Sequence, residues 1–233
     1  MAISLSVKMG GGKILSLIWI FPFLVRCWTS SLSTRRRRHI SLHASFDFSS
    51  TSEWDIFYQE NGVFEWHSSV PLEKIASFVE PNSDCLMVGC GNSRLPQVVL
   101  SNCRDVSIVL SDTSQTCLDQ LQTIYGSSLK YKLGDSTKLS TLFEEKKFDI
   151  IIDKGLSDAI LCGDGWDGPL TRLFEGASIV LNEEKGIYLL VSYKLPPSTK
   201  NFLTEVGQRV GLNWQFDLPE SNDRVSVSVA MKQ

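Results

Sequence analysis

The sequence predicts an α/β fold: a seven-stranded, mostly parallel sheet with helices on both faces and a C-terminal antiparallel hairpin. Three observations predict it. Short apolar runs alternate with amphipathic stretches along most of the chain, the signature of successive βαβ units. Of the 233 residues, 42% are hydrophobic and 21% charged, enough for one sizeable core and one domain. The last two apolar runs are joined only by Asp217–Arg224, which is too short for a helical crossover and therefore closes an antiparallel pair.

Each element follows from its own pattern. Ser52 opens an aromatic stretch, Glu53-Trp54-Asp55-Ile56-Phe57-Tyr58, and Phe64-Glu65-Trp66 comes shortly after. Pro71–Val79 places Leu72, Ile75, Ala76 and Val79 on one helical face. Cys85–Val88 is a buried strand and Leu95–Ser101 the helix after it. Val106–Leu110 and Gln115–Tyr125 form the second such pair, and Leu129–Leu133 is the third strand. Phe148–Ile152 is a continuous apolar strand, as expected where a parallel sheet is covered on both faces. Leu170–Leu181 is a helix, Gly186–Ser192 a strand and Lys200–Val210 a helix. Leu212–Phe216 and Val225–Met231 make the closing hairpin.

Residues 1–46 read differently. They contain no Asp or Glu and seven basic residues, including the run Arg35–Arg38, and they are rich in Ser. That is the composition of an organellar transit leader, mitochondrial in preference to plastid, without a stable fold of its own. The apolar run Ile14–Val25 also fits a secretory signal or anchor, but its 12 residues fall short of the roughly 20 a bilayer crossing needs. The predicted division is therefore a leader at 1–46 and one folded domain at 47–233. No stable membrane span is expected.

Charge and residue usage exclude several function classes. The formal net charge is −3, but residues 47–233 carry 16 basic against 26 acidic side chains, a balance of −10. Such a domain has no basic footprint for a phosphate backbone, so nucleic acid is not the expected partner. His67 is the only histidine beyond residue 46, so a two-histidine metal site cannot be built there, and no metal is expected. The six cysteines form no CxxC pair, which points to a reducing compartment.

The chemistry begins at Met87-Val88-Gly89-Cys90-Gly91-Asn92-Ser93, where a buried strand enters two glycines and then a helix. Glycine permits positive φ and close approach of a ligand, and the helix start offers free N–H groups. Asp112 lies 21 residues past Gly91, at the end of the second strand, where a carboxylate can accept from both hydroxyls of a ribose. Asp135 follows the third strand and Asp153 the fourth, so a glycine turn and three acids converge on the C-terminal edge of the sheet. A dinucleotide turn wants a third small residue where this chain has Arg94, which disfavours a nicotinamide oxidoreductase. A ligand with a ribose but no pyrophosphate fits better.

The whole pattern resembles the class I S-adenosylmethionine-dependent methyltransferases, which share a Rossmann-like fold. More narrowly, WDIFY at 54–58, FEW at 64–66, VGCGNS at 88–93 and DKGLSDA at 153–159 resemble the methyltransferase-like 13 group. That group includes lysine methyltransferases of translation elongation factor 1-alpha and of mitochondrial citrate synthase. The resemblance spans about residues 52–233. It departs at His67, where the group commonly has Tyr or Phe, and at Leu110-Ser111-Asp112, where the acid usually follows Val or Ile directly.

The resemblance implies S-adenosyl-L-methionine as cofactor. It implies that Gly89, Cys90, Gly91 and Asn92 approach the methionine part, and that Asp112 with Thr113 holds the ribose. Asp135 and Ser136 would flank the adenine, and Trp54 and Tyr58 would form an N-terminal lid. Asp153 would close the site near the sulfonium as the catalytic group. It further implies a protein lysine as methyl acceptor. The alternatives are a small-molecule O- or N-methyltransferase and a catalytically silent cofactor-binding protein.

Overall fold

The computed structural model describes residues 46–233. The leader expectation, Phe46 apart, lies outside the described residues. Phe46 itself belongs to the folded part, packing edge-on to Trp54 at 4.9 Å between ring centroids.

Among the described residues the chain forms a seven-stranded sheet. In chain order the strands are β1 (Asp84–Val88), β2 (Ser107–Asp112), β3 (Lys130–Leu133), β4 (Ile150–Lys154), β5 (Ile187–Tyr193), β6 (Leu212–Gln215) and β7 (Val225–Lys232). Their spatial order is β3-β2-β1-β4-β5-β7-β6. The first five run parallel, and β7 lies antiparallel between β5 and β6. The predicted fold class holds, including the terminal hairpin. The order turns back on itself at β1, leaving a crevice beside that strand where open α/β sheets bind ligands.

Eight α-helices are described: α1 (Thr51–Glu60), α2 (Leu72–Ala76), α3 (Leu95–Asn102), α4 (Gln115–Tyr125), α5 (Leu139–Leu142), α6 (Leu156–Leu161), α7 (Asp167–Val180) and α8 (Pro197–Val210). The apolar residues of α1–α4, such as Phe57, Ile75, Val99 and Leu121, pack on one face of the sheet against Met87, Leu110 and Ile152. Leu139, Leu170, Phe174 and Leu203, from α5, α7 and α8, pack on the other face against Leu86, Ile151 and Leu190. Burying each such side chain contributes about 1.5–3 kcal/mol, so both faces are strongly held.

Three departures from the sequence expectation bear on the site. The Pro71–Val79 helix shrinks to Leu72–Ala76. The fourth strand is displaced two residues, to Ile150–Lys154, because Phe148 forms an isolated bridge with Leu181 instead. Helix α6 is unanticipated: Gly155 takes a left-handed φ of 97°, which lets a helix begin immediately after β4.

Candidate active site

Strand register builds the site. Val88 is paired with Ser111 on one side and Asp153 on the other, so the next row at the sheet edge is Asp112, Gly89 and Lys154. Side chains alternate faces along a strand. Ile108, Leu110 and Asp112 therefore share a face with Ile150, Ile152 and Lys154, the face that also carries α1–α4. A cavity of about 650 Å³ opens there at the C-terminal edge of the sheet.

Asp112 is buried on the cavity wall, accepting from Gly91 N at 2.9 Å through Oδ2 and from Ser114 N at 3.0 Å through Oδ1. An ionised carboxylate offers about four acceptor positions, so roughly two remain for a ligand. Burial pushes its pKa above the ordinary carboxylate value, and the backbone N–H groups of Ser114 and Gly91 oppose that shift.

The glycine turn works differently from its usual rationale. Gly89 and Gly91 take φ of 50° and 53°, which side-chain-bearing residues rarely adopt. A Cβ on Gly89 would meet Leu156 Cβ at 2.9 Å, and one on Gly91 would meet the Tyr58 hydroxyl at 3.1 Å. Close packing against Leu156 therefore already favours glycine at Gly89, and backbone conformation with the nearby Tyr58 hydroxyl favours it at Gly91.

Asn92 is buried and staples the segment before α2 to the turn. Its Oδ1 accepts from Phe64 N, and its Nδ2 donates to the Gly62 carbonyl and to Gln120 Oε1. Helix α1 closes over this from the side. Trp54 and Tyr58 are near-parallel at 6.0 Å and both line the cavity. Burial holds the Tyr58 phenol well above its usual pKa, so it remains a neutral donor. Thr113 bonds Thr51 of α1 at 2.7 Å, while Ser114 caps α4 and donates to Asp55 of α1 at 2.5 Å.

At the β3 end, Asp135 uses Oδ1 to accept from Thr137 N and Oγ1. Its Oδ2 lies beside Lys138 at 3.9 Å, an exposed pair, and Ser136 lines the cavity next to it. The structure thus brings Trp54, Tyr58, Gly89, Cys90, Gly91, Asn92, Asp112, Thr113, Asp135 and Ser136 onto one cavity wall.

Asp153 is the correction. It does not line the cavity. It is fully buried on the opposite face of the sheet, where its Oδ2 accepts from Tyr188 Oη at 2.8 Å and Ser157 Oγ at 2.5 Å. The expectation failed because it took the acid to follow the strand, whereas Asp153 lies within β4, and a one-residue change in strand position reverses the face. Burial raises its pKa to about 6, against the hydrogen bonds from Ser157 and Tyr188. It is a core carboxyl that ties α6 to β5.

Lys154 takes the cavity position that Asp153 was expected to hold. Its side chain is only 6% exposed, and its ammonium donates to Glu65 Oε2 and to the Trp66 carbonyl, both at 3.1 Å. Burial holds its pKa below the ordinary lysine value, with Glu65 opposing. Glu65 in turn accepts from Arg94 N through Oε1 and from Ser93 Oγ through Oε2. The FEW segment was legible as a motif, but its partners were not, because they lie 28 and 89 residues away. Trp66 of that motif also lines the cavity, as do Asp164, Trp166 and Arg172, which the sequence reading did not single out.

No family model matches the chain. It is 30% identical over 125 residues to the eEF1A lysine and N-terminal methyltransferase of Mus musculus, covering 51% of this chain and 18% of that protein. The Homo sapiens counterpart is 29% identical over 127 residues, with the same coverage. The EEF1A lysine methyltransferase 4 of Mus musculus is 29% identical over 133 residues, covering 53% of this chain and 51% of that protein. The chain thus spans at most about half the length of these relatives.

Solved structures agree on the architecture. A TehB-like S-adenosylmethionine-dependent methyltransferase from Corynebacterium glutamicum superposes with a TM-score of 0.56 at 15% identity, over 78% of this chain and 95% of that one. An S-adenosylmethionine-dependent methyltransferase from Clostridium acetobutylicum gives 0.53 at 14% identity, over 79% and 93%. This is the class I methyltransferase fold. The likeness to these solved structures is one of fold. Within a methyltransferase fold, the row of Asp112, Gly89 and Lys154 stands at the sheet edge beside the reversal of strand order.

Proposed function

We propose that this chain is an S-adenosyl-L-methionine-dependent methyltransferase acting on a lysine side chain of a protein. Asp112 carries the reading: a buried carboxylate on a cavity wall, pinned by two backbone N–H groups, with acceptor capacity left for two vicinal hydroxyls. In this reading a nucleoside sets its sugar against Asp112 and its base near Asp135 and Ser136, just after β3. The remainder would extend the other way, past Gly89 towards β4. The similar eEF1A lysine methyltransferases support a protein acceptor.

When bound, the cofactor supplies an electrophilic methyl group on a sulfonium, which needs no protein nucleophile. The chain's residues supply position. Asp112 and the Gly89–Gly91 turn fix the donor, while Trp54 and Tyr58 on α1 exclude water. Trp66 and the turn bearing Asp164 and Trp166 line the part of the cavity beyond β4, where an acceptor can enter. Holding two reactants in line contributes roughly 7–11 kcal/mol to such a displacement. A lysine acceptor must lose its proton first, at about 4 kcal/mol near pH 7.5. An apolar aromatic wall lowers that cost by disfavouring the charged amine.

Two measurements test the proposal. Calorimetry with S-adenosylhomocysteine should show binding to the folded protein. Labelled-methyl transfer should then mark polypeptides in a total protein extract and leave a metabolite extract unlabelled. Labelled metabolites would move the assignment to a small-molecule enzyme, and binding without transfer to either extract would make the protein a silent binder.

A further inference from the structure

A reduced cysteine is usually a small hydrophobe or a weak donor to a carbonyl. Cys85, in the core, and Cys103, which donates to the Val79 carbonyl, fit that description. Cys90 and Cys117 do not. No CxxC spacing marks them in the sequence, yet the fold hydrogen-bonds their thiols to each other. Their sulfurs and a carboxylate oxygen of Asp112 all lie within 4.8 Å of one another.

Local structure holds these three donors in place. Cys90 stands between the left-handed Gly89 and Gly91, and its N–H donates to the Ser111 carbonyl at 3.0 Å. Cys117 lies in the first turn of α4, its N–H on the capping Ser114 hydroxyl at 3.1 Å. Asp112 is pinned by Gly91 N and Ser114 N. All three are thus tied to the end of β2. Two thiolates with a carboxylate make a donor set suited to zinc. Tetrahedral coordination at bond lengths of about 2.1–2.3 Å sets such donors about 3.6–3.8 Å apart. Reaching that from the widest separation here takes a contraction of roughly 1 Å. The surrounding charge also favours a cation. Asp55 of α1 is within electrostatic reach of Asp112 and Cys117, and Lys154, near Cys90, is already paired with Glu65. Cys90 and Asp112 line the cavity, which gives an ion its entry and leaves a fourth position open to water.

We infer that Cys90, Cys117 and Asp112 together bind a Zn²⁺ ion, and that zinc and the cofactor's sugar exclude each other at Asp112. The metal site stands on side-chain geometry, while the exclusion rests on the nucleoside site proposed above. Coordination replaces the two thiol protons with the metal and releases them to solvent. The ion then takes acceptor positions that Asp112 keeps for the ribose. Zinc at this place is an inhibitor, and the chemistry of methyl transfer does not use it.

The probes are Zn²⁺ and, for its spectrum, Co²⁺, each added to the reduced full chain after dialysis against a chelator. One ion should bind per chain, cobalt should show a thiolate-to-metal charge-transfer band, and zinc should displace it. In calorimetry, the apparent Kd for S-adenosylhomocysteine should rise in proportion to zinc concentration. Cys117→Ala alters a residue outside the proposed cofactor site. It should lose at least about 100-fold in zinc affinity and bind S-adenosylhomocysteine as the wild type does, with or without zinc. A cobalt complex without the charge-transfer band, or full zinc affinity in Cys117→Ala, would overturn the metal site. Simultaneous binding of zinc and S-adenosylhomocysteine would overturn the exclusion. The cobalt spectrum is read on the wild type, so the metal site remains open to refutation should the variant lose its folded melting transition. A wild-type chain that binds zinc but never S-adenosylhomocysteine would sink the nucleoside site and leave the metal site standing, so the two failures are distinguishable.

Discussion

Asp112 and Asp153 are buried carboxylates on the two strands that flank β1, and one residue of register gives them opposite duties. Asp112 faces the cavity and keeps acceptor capacity. Asp112→Ala removes the partner of the sugar, so S-adenosylhomocysteine affinity should fall about 10- to 100-fold by calorimetry. Asp153 faces the core, and its effect is on stability. Its folded pKa is raised from 3.8 to about 6, so between those values the native state binds more protons than the unfolded one. Stability from this group is therefore greatest below pH 4 and is lost as pH rises through 6, a swing of about 3 kcal/mol. Asp153→Asn cannot ionise. Denaturant melts across pH 4–8 should show the variant gaining on the wild type by about that amount, and a constant difference would refute the assignment.

At the scale of elements, the strands and long helices were legible because each is a local pattern. Gln115–Tyr125 runs between the residues that its amphipathic period marks, since Ser114 caps it and Gly126 ends it. The glycine turn and the acids after β2 and β3 were legible for the same reason. What the sequence could not show was parity at the end of β4: an apolar run bounded by Asp153-Lys154 does not say which of the two is the last to face the site. Nor could it show that Glu65 fills the start of α3 or that Asp55 reaches Ser114, because these contacts join distant segments. The Asp55–Ser114 contact is where α1 meets the sheet layer, and the Ser114 hydroxyl holds Asp55 below its usual pKa. Ser114→Ala deletes both the α4 cap and this tie. A stability loss of about 1–2 kcal/mol is expected in chemical denaturation. It should be accompanied by faster proteolysis within Thr51–Glu60 than elsewhere in the folded part, and uniform protection of α1 in the variant would show that the Asp55–Ser114 contact does not hold α1 in place.

The folded part combines a net negative charge with a cavity lined by Trp66, Trp166 and Asp164, where the proposed acceptor would enter. The balance of −10 over residues 47–233 attracts positively charged partners over about a Debye length. Under the proposed function, a lysine on a basic stretch of a folded protein meets that field before it reaches the aromatic walls, whereas the chemical step occurs where salt penetrates little. Electrostatic steering and in-line transfer should therefore separate experimentally. Raising ionic strength from about 0.05 to 0.5 M shortens the Debye length roughly threefold. With a protein acceptor, KM should rise several-fold while kcat changes little, because rim charges govern encounter and the buried site governs reaction. Cofactor affinity provides the internal control: its proposed sugar partner, Asp112, is buried, so calorimetry in the same buffers should change far less than KM. A salt-independent KM, or a fall in kcat alone, would show that the acidic surface takes no part in choosing the substrate.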